Sequence, residues 1–271
     1  MNAQKPAGLT IEILGCGSSG GVPRPAQGWG ACDPDNPRNR RRRCSILVRQ
    51  RAEAGETMVL VDTSPDLREQ LLSADIRRLD GVIFTHEHAD HTHGIDDLRP
   101  VVIHNRRLIE TYLDEPTALV LKQRFGYCFQ TPPGSEYPPL LKENRIRSGE
   151  GFAVAGAGGA VTCLPFNLTH GSIDALGLRF GNIAYTPDVN AIPASSVEFL
   201  EGLDCWIIDA LRLTPHPSHF MLSEALEWIA RMKPKRAVLT NLHTDLDYAY
   251  LERAVPPGIQ AAFDGMIIES C

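Results

Sequence analysis

Short apolar runs separated by glycine and proline recur along the chain and predict buried strands. The segment "LTIEILGCG" (residues 9–17) alternates apolar and polar positions and then ends in glycines, which predicts an opening strand and a tight loop. "CSILVRQ" and "TMVLVDTS" are joined by the polar turn "AEAGE" and predict a β-hairpin. Later runs of the same form are "GVIFTH", "VTCLPFNL", "LGLRFG", "NIAYTPD", "CWIIDAL" and "RAVLTNLH".

Helical patterns lie between several of these runs. In "SPDLREQLLSA", Ser64 is predicted to cap a helix whose first position is Pro65. Further helices are predicted over residues 116–125, 195–201 and 222–232, and the Pro- and Gly-containing residues 131–151 are predicted to form an irregular surface excursion. Strands interspersed with helices, without a repeat period, predict an α/β fold on two packed sheets, in a single domain over residues 1–271.

Composition narrows the class of protein. The 271 residues are 43% hydrophobic, enough for one large core or two small ones. No run of about 18 apolar residues is present, and the N-terminus lacks the charged and apolar regions of a secretory signal, so we expect a cytoplasmic protein with no membrane partner. Seven cysteines without a C-x-x-C pair indicate reduced thiols. The formal charge of −6 argues against a long nucleic-acid partner.

The stretch "FTHEHADHTHG" concentrates metal-competent side chains directly after a predicted strand. His86, His88, Asp90 and His91 form the pattern H-x-H-x-D-H. The two histidines suit one metal ion and the Asp-His pair suits a second, and imidazole with carboxylate fits Zn²⁺, Mn²⁺ or Fe²⁺. The alternative is a solvated polar loop that contains these histidines by chance.

Three later donors stand at the ends of predicted strands. They are His170 in "LPFNLTHG", Asp188 in "IAYTPDV" and His243 in "VLTNLHTD". A single histidine or aspartate at a strand end is more often structural. Three of them in this order after H-x-H-x-D-H predict instead that they complete two metal sites.

These motifs together resemble the metallo-β-lactamase superfamily, whose fold is a four-layer αββα sandwich with a dinuclear site at one edge of the sheets. The resemblance extends from "LGCGSSGGVP" to "FDGMIIE". It implies one metal on His86, His88 and His170, a second on Asp90, His91 and His243, and Asp188 as the bridge between them. It also implies that Asp62, in "LVDTSPD", orients the histidine loop without binding metal.

Within that superfamily the chain resembles the PhnP-like phosphodiesterases, which open cyclic ribose phosphates. The shared stretches are "GCGSSGGVP", "NPRNRRRRCS", "DDLRP" and "PSHFMLSEAL". The resemblance implies that His219 acts over the metals as an acid or phosphate-stabilising group, with His216 as its competitor. Members often carry a cysteine-rich structural zinc site, but "GWGACDPDNPRN" keeps only Cys32, so no structural zinc is expected.

The resemblance predicts a hydrolase with two divalent ions, Mn²⁺ or Zn²⁺, that cleaves a small phosphodiester. The expected substrate is a cyclic phosphate on ribose or a nucleotide, and the product a monophosphate. Two ions about 3.5–4 Å apart lower the pKa of a bridging water, so that hydroxide can attack near neutral pH. Asp90 and His219 are the predicted catalytic residues, Arg212, His216 and His219 the predicted phosphate contacts, and a homodimer the implied assembly.

Several alternatives stay open from the sequence. A tRNase Z-like nuclease shares the histidine motif but usually has an extended basic arm. A glyoxalase or lactonase would use the same metals on a thioester or lactone, a PqqB-like protein usually has a cysteine-rich segment, and a binding protein would lack activity. The glycine loop "GCGSSGGVPRP" is either a phosphate cradle or a tight turn. Most of the arginines over residues 38–43 are expected to lie in a solvated loop, and one or two of them to pair with acidic residues or steer an anionic substrate.

Overall fold

Two seven-stranded sheets form the framework of the protein in the computed structural model, which describes residues 8–270. Strands are numbered in chain order. The first sheet contains β1 (Gly8–Gly15), β2 (Ser45–Ala52), β3 (Gly55–Val61), β4 (Gly81–Ile83), β5 (Ile109–Leu113), β6 (Leu141–Arg145) and β14 (Ile267–Glu269). Their order across the sheet is β14-β1-β2-β3-β4-β5-β6.

The second sheet also has seven strands. It contains β7 (Phe152–Val154), β8 (Val161–His170), β9 (Ile173–Phe180), β10 (Ile183–Thr186), β11 (Cys205–Asp209), β12 (Arg236–Thr240) and β13 (Ile259–Ala261). Their order is β13-β12-β11-β10-β9-β8-β7.

Helices cover the outer faces of the two sheets. They are α1 (Leu67–Ser73), α2 (Ala89–Thr92), α3 (Arg99–Asn105), α4 (Glu115–Phe129), α5 (Leu222–Met232) and α6 (Tyr248–Ala254), with 3₁₀ helices at Pro37–Asn39, Ile95–Leu98 and Ala194–Leu200. Across residues 8–270, every helix is too short or too polar to cross a bilayer.

Three apolar clusters divide the core into layers. One cluster joins the facing sides of both sheets, and the other two join each outer face to its helices. Strand β11 shows how the sequence builds two of them, because Cys205 and Ile207 face the other sheet whereas Trp206 and Ile208 face the helices. The expected four-layer αββα sandwich is therefore confirmed.

Several predicted elements occur where the pattern placed them. The hairpin is the antiparallel pair β2–β3, and α5 has the predicted bounds. The helix predicted over residues 195–201 is the 3₁₀ helix Ala194–Leu200. The predicted cap of α1 is wrong, because the helix begins at Leu67 and Ser64 accepts a hydrogen bond from the Asp66 backbone N–H at 3.2 Å.

The prediction for residues 131–151 is partly wrong, because this segment contains β6. The strand "LKENR" forms an edge of the first sheet and pairs in parallel with β5. Its charged composition is typical of an edge strand, where polar side chains discourage pairing with another chain.

The predicted site residues lie at the same edge of the two sheets because the strands that carry them run in the same direction within each sheet. Strands β10, β11 and β12 run parallel, and β8 runs with them because both β8 and β10 are antiparallel to β9. In the first sheet β3 and β4 are also parallel. The C-terminal ends of these strands carry or precede Asp62, His86, His170, Asp188, Asp209 and His243.

Candidate metal centre

Asp62 connects β3 to the histidine loop. It is fully buried and adopts a left-handed backbone with φ of 63°, an uncommon conformation for a residue other than glycine. Its carboxylate accepts hydrogen bonds from the Thr85 backbone N–H and hydroxyl, each at 2.8 Å, and from His91 Nδ1 at 2.8 Å. Because Nδ1 of His91 carries this proton, its Nε2 is left to face the centre.

Two groups of potential ligands share Asp188. The first consists of His86, His88, His170 and Asp188, and the second of Asp90, His91 and Asp188, with the ligand atoms of each group within 4.8 Å of one another. One Asp188 oxygen lies 3.2 Å from His91 Nε2, and the other lies 3.4 Å from His170 Nε2 and 3.8 Å from His86 Nε2. Asp188 therefore stands where a bridging carboxylate would be placed.

The donor atoms fit divalent metal ions. The imidazoles of His86 and His91 are fully buried, yet neither Nε2 atom makes a hydrogen bond. Buried polar atoms are normally paired, so two unpaired imidazole nitrogens that face a carboxylate require a partner. Zn²⁺ and Mn²⁺ take nitrogen and oxygen ligands of this kind.

The backbone fixes the third histidine of the first group. His170 donates from Nδ1 to the Ser218 carbonyl at 2.6 Å, which leaves Nε2 3.1 Å from His88 Nδ1. His170 is buried whereas His88 is exposed, so the centre opens to solvent on the His88 side.

Burial lowers the pKa of the histidines at the centre, whereas the neighbouring carboxylates raise it. Burial and the neighbouring His91 hold the pKa of His86 well below its ordinary value, which leaves a neutral imidazole that can ligate. Burial also opposes charge on His91, but the carboxylates of Asp188, Asp90 and Asp62 outweigh it and raise its pKa. Three carboxylates around one buried ring create a potential that favours a cation.

His219 lies beside this centre. Its Nδ1 donates to Asp209 Oδ2 at 2.8 Å, and its Nε2 is 3.8 Å from Asp188 Oδ2. Burial opposes protonation, but the carboxylates of Asp209 and Asp188 outweigh it and raise the pKa of His219 to about 9. The sequence analysis did not identify Asp209, although "CWIID" places it at a strand end as "IAYTPD" places Asp188.

His243 lies outside both groups. Its Nδ1 is 3.1 Å from Asp245 Oδ1, and its Nε2 contacts the guanidinium of Arg24. Its backbone N–H donates to the Leu211 carbonyl at 2.9 Å. The structure thus brings six of the seven predicted donors together and places the seventh against an arginine that the sequence analysis did not single out.

The segment that contains this centre matches a known protein family. A profile described as the Beta-lactamase superfamily domain matches residues 57–241. This segment contains the two ligand groups. The chain belongs to the beta-lactamase superfamily.

One relative of known crystal structure is a new diphosphatase from the PhnP family. The two share 34% sequence identity with a TM-score of 0.85, covering 97% of this chain and 98% of that one, which extends the membership to the PhnP family. Zn²⁺-bound PqqB from Methylobacterium extorquens shares the fold at 17% identity and a TM-score of 0.70, covering 96% of this chain and 100% of that one. The family and the two ligand groups are those expected of a metal-dependent hydrolase.

One curated relative is longer than this chain. An octanoyltransferase of Porphyromonas gingivalis is 34% identical over 259 residues, which cover 94% of this superfamily member and 50% of the transferase. The chain therefore spans about half the length of that relative.

The two other predicted phosphate contacts differ in position. His216 lies next to His219, with ring centroids 5.0 Å apart, and burial together with His219 lowers its pKa. The guanidinium of Arg212 instead donates to the carbonyls of Thr214 and Pro215, and so ties its own loop together.

The arginine run is built into the structure. Arg42 pairs with Asp264 at 2.9 Å, Arg43 pairs with Asp66 at 2.7 Å, Arg38 lies over the Tyr248 and Phe263 rings, and Arg40 lies over the Trp29 ring. Arg41 is 2% exposed. Arg38 and Arg40 are exposed, as expected of a solvated loop, whereas Arg42 and Arg43 pair with acidic residues and Arg41 is buried.

The glycine loop packs against the same segment. Gly17 and Val22 donate backbone hydrogen bonds to the carbonyls of Arg42 and Arg41, at 2.8 and 2.9 Å. A Cβ atom on Gly15 would overlap the Arg43 carbonyl. This close backbone approach accounts for the glycine without a phosphate cradle.

Proposed function

We propose that this chain is a dinuclear metal-dependent phosphodiesterase that acts on a small phosphodiester, the cyclic phosphate of a ribose or nucleotide. The observation that carries the proposal is the position of Asp188. Its carboxylate is shared by the two ligand groups and lies 3.8 Å from an imidazole that Asp209 holds in place. Shared ligands and an adjacent proton donor are what hydrolysis of a phosphodiester requires.

Each donor has a role under this proposal. His86, His88 and His170 would hold one ion, Asp90, His91 and His243 would hold the other, and Asp188 would be shared by both. The ions supply a bound water of lowered pKa and neutralise charge on the phosphoryl oxygens. Asp62 keeps the Nε2 atom of His91 directed at the centre by accepting the Nδ1 proton.

His219 supplies the proton in the proposed reaction. Asp209 binds Nδ1–H at 2.8 Å, so the second N–H of the protonated ring, at Nε2, faces the Asp188 side where the phosphoryl group would lie. The carboxylates of Asp209 and Asp188 raise its pKa, which favours the protonated ring that would donate to the departing ribose oxygen or to a phosphoryl oxygen. His216 is the neighbouring alternative.

A diphosphate bond is the second candidate for the bond that is cleaved. The specific support is the 34% identity and full-length overlap with the PhnP-family diphosphatase. Hydrolysis of a diphosphate and of a phosphodiester place the same demands on the centre, because both pass through a five-coordinate phosphorus and release a phosphate monoester.

Charge favours a small substrate over a long RNA. The chain has a formal charge of −6, and the arginines over residues 38–43 are engaged by carboxylates, aromatic rings and backbone carbonyls. A tRNase Z-like activity would need free basic surface along the RNA backbone.

Turnover on three substrate classes tests the proposed function. Protein reconstituted with Mn²⁺ or Zn²⁺ is incubated with bis(p-nitrophenyl) phosphate, a thioester and a lactone. We expect hydrolysis of the diester and metal-dependent binding of AMP or GMP, which resemble the monophosphate product, at millimolar concentration. Hydrolysis of only the carbonyl substrates would contradict the proposal and favour the glyoxalase or lactonase alternative.

A further inference from the structure

Arg24, in the glycine loop, contacts a residue predicted to bind metal. Its guanidinium contacts the imidazole of His243, at the edge of the candidate metal centre. No carboxylate of residues 8–270 lies within the 4.0 Å ion-pair distance of it. Arg42 and Arg43, in contrast, are paired with Asp264 and Asp66. Arg24 therefore brings a positive charge to the edge of the centre and forms no close ion pair there.

The backbone holds Arg24 in this position. The turn from Arg24 to Gly28 is closed by two backbone hydrogen bonds of 2.8 Å, one in each direction. A Cβ atom on Gly20 would overlap the Nε atom of Arg24, so the glycine leaves the path that the side chain takes towards His243. Gly20 and the turn from Arg24 to Gly28 thus direct the Arg24 guanidinium towards the candidate metal centre.

The contact with His243 leaves Arg24 able to bind an anion. A guanidinium has five N–H donors and no acceptor, so His243 Nε2 is the acceptor in this contact. If His243 gives the same lone pair to a metal ion, as the proposed function requires, the guanidinium is released and its donors face the ligand of that ion. Guanidinium forks bind phosphate oxygens in a bidentate manner.

We infer that Arg24 binds a second phosphoryl group, next to the one that is cleaved. The inference rests on the second candidate of the proposed function, cleavage of a diphosphate. A simple phosphodiester carries one negative charge, which the metal ions would neutralise, whereas the guanidinium of Arg24 adds a further positive charge beside His243. A diphosphate supplies the second negative group in the adjacent position. Arg24 is in this account the residue that selects diphosphates over simple diesters.

Calorimetry with AMP and ADP tests this role on the metal-loaded full chain. We expect the wild type to bind ADP more tightly than AMP by about ten- to a hundredfold, the range of one charged hydrogen-bonding contact. Arg24→Gln removes this margin, and Arg24→Lys retains part of it because the charge remains. Arg40→Gln, a change in the same loop at a residue that lies over Trp29, leaves the margin intact.

Two outcomes would overturn the inference: equal binding of AMP and ADP by the wild type, or an unchanged margin in Arg24→Gln. Metal content and thermal unfolding are measured for each variant, so that a folding defect is not mistaken for lost recognition. The difference in affinity between AMP and ADP is measured without any turnover of substrate. A wild type that prefers ADP but hydrolyses no phosphodiester or diphosphate would therefore contradict the proposed function and leave the role of Arg24 standing.

Discussion

His219 is the residue on which the proposed chemistry depends most directly. Its ring is held through Nδ1 by Asp209, and its Nε2 lies 3.8 Å from Asp188. Replacing it with alanine removes the proton donor but none of the residues in the two ligand groups. We expect His219→Ala to lower kcat on bis(p-nitrophenyl) phosphate by about 10²–10⁴-fold with the metal content unchanged. His216→Ala is the matched control, and a larger loss in that variant would transfer the role to His216.

Asp209 controls the pH range over which His219 is an acid. Its carboxylate raises the pKa of His219, so removal of that charge lowers the pKa. Because the protonated ring is the active form, activity is lost as pH rises through this pKa. We expect Asp209→Asn to shift the alkaline limb of the kcat profile to lower pH, measured from pH 6 to 10 in roughly half-unit steps. An unmoved alkaline limb would show that His219 does not set it.

Among the loops, Arg41 joins the segment after the glycine loop to the segment that carries His243. Its guanidinium donates to the Leu246 carbonyl at 2.8 Å, the Asn39 side chain at 3.2 Å and the His243 carbonyl at 3.4 Å. The Sγ atom of Cys32 lies 3.9 Å from Arg41 and 3.5 Å from the Thr244 carbonyl. A buried arginine thus joins these segments, together with the hydrogen bonds between Asn39 and both Asp247 and Tyr248.

We expect Arg41→Met to reduce the free energy of unfolding by about 3 kcal/mol, because buried carbonyls lose charged donors. The same variant should bind the second metal equivalent more weakly, since the His243 backbone loses a support. Chemical denaturation and metal titration measure the two effects. The exposed Arg40→Met serves as control, and equal stability of both variants would exclude Arg41 as a structural link.

The sequence predicts elements and strand-end donors better than it predicts their contacts. Apolar runs identify β10, β11 and β12, and therefore the positions of Asp188 and His243, because burial on both faces requires such runs. Strand β6 is missed since an edge strand is polar. The contact between Arg24 and His243 spans 219 positions and depends on tertiary packing. No local pattern encodes such a contact.

At the scale of the whole molecule, metal binding should stabilise the fold. Asp188, His86 and His91 are at most 2% exposed, and the Nε2 atoms of both histidines lie within 3.8 Å of the Asp188 carboxylate. Ions that bind only the folded chain add about 2.7 kcal/mol at a concentration 100 times their Kd. We expect chelation to lower the melting temperature and metal addition to restore it, by differential scanning calorimetry. A melting temperature that does not respond would argue against binding at this buried centre.

Domain organisation and assembly are further proposals at this scale. We propose that residues 1–271 fold as one domain, that two copies form a homodimer, and that the protein acts in the cytoplasm. Analytical ultracentrifugation of the metal-loaded chain distinguishes a dimer from a monomer.

The central claim is that this chain hydrolyses a phosphodiester at a centre where Asp188 would be shared by two metal ions. Its most direct test is a titration of Mn²⁺ into metal-free protein while hydrolysis of bis(p-nitrophenyl) phosphate is followed, beside the Asp188→Asn variant. We predict that activity rises until two equivalents are bound, and that the variant neither fills both sites nor turns over. Full activity with one equivalent, or with Asp188 replaced, would contradict the account.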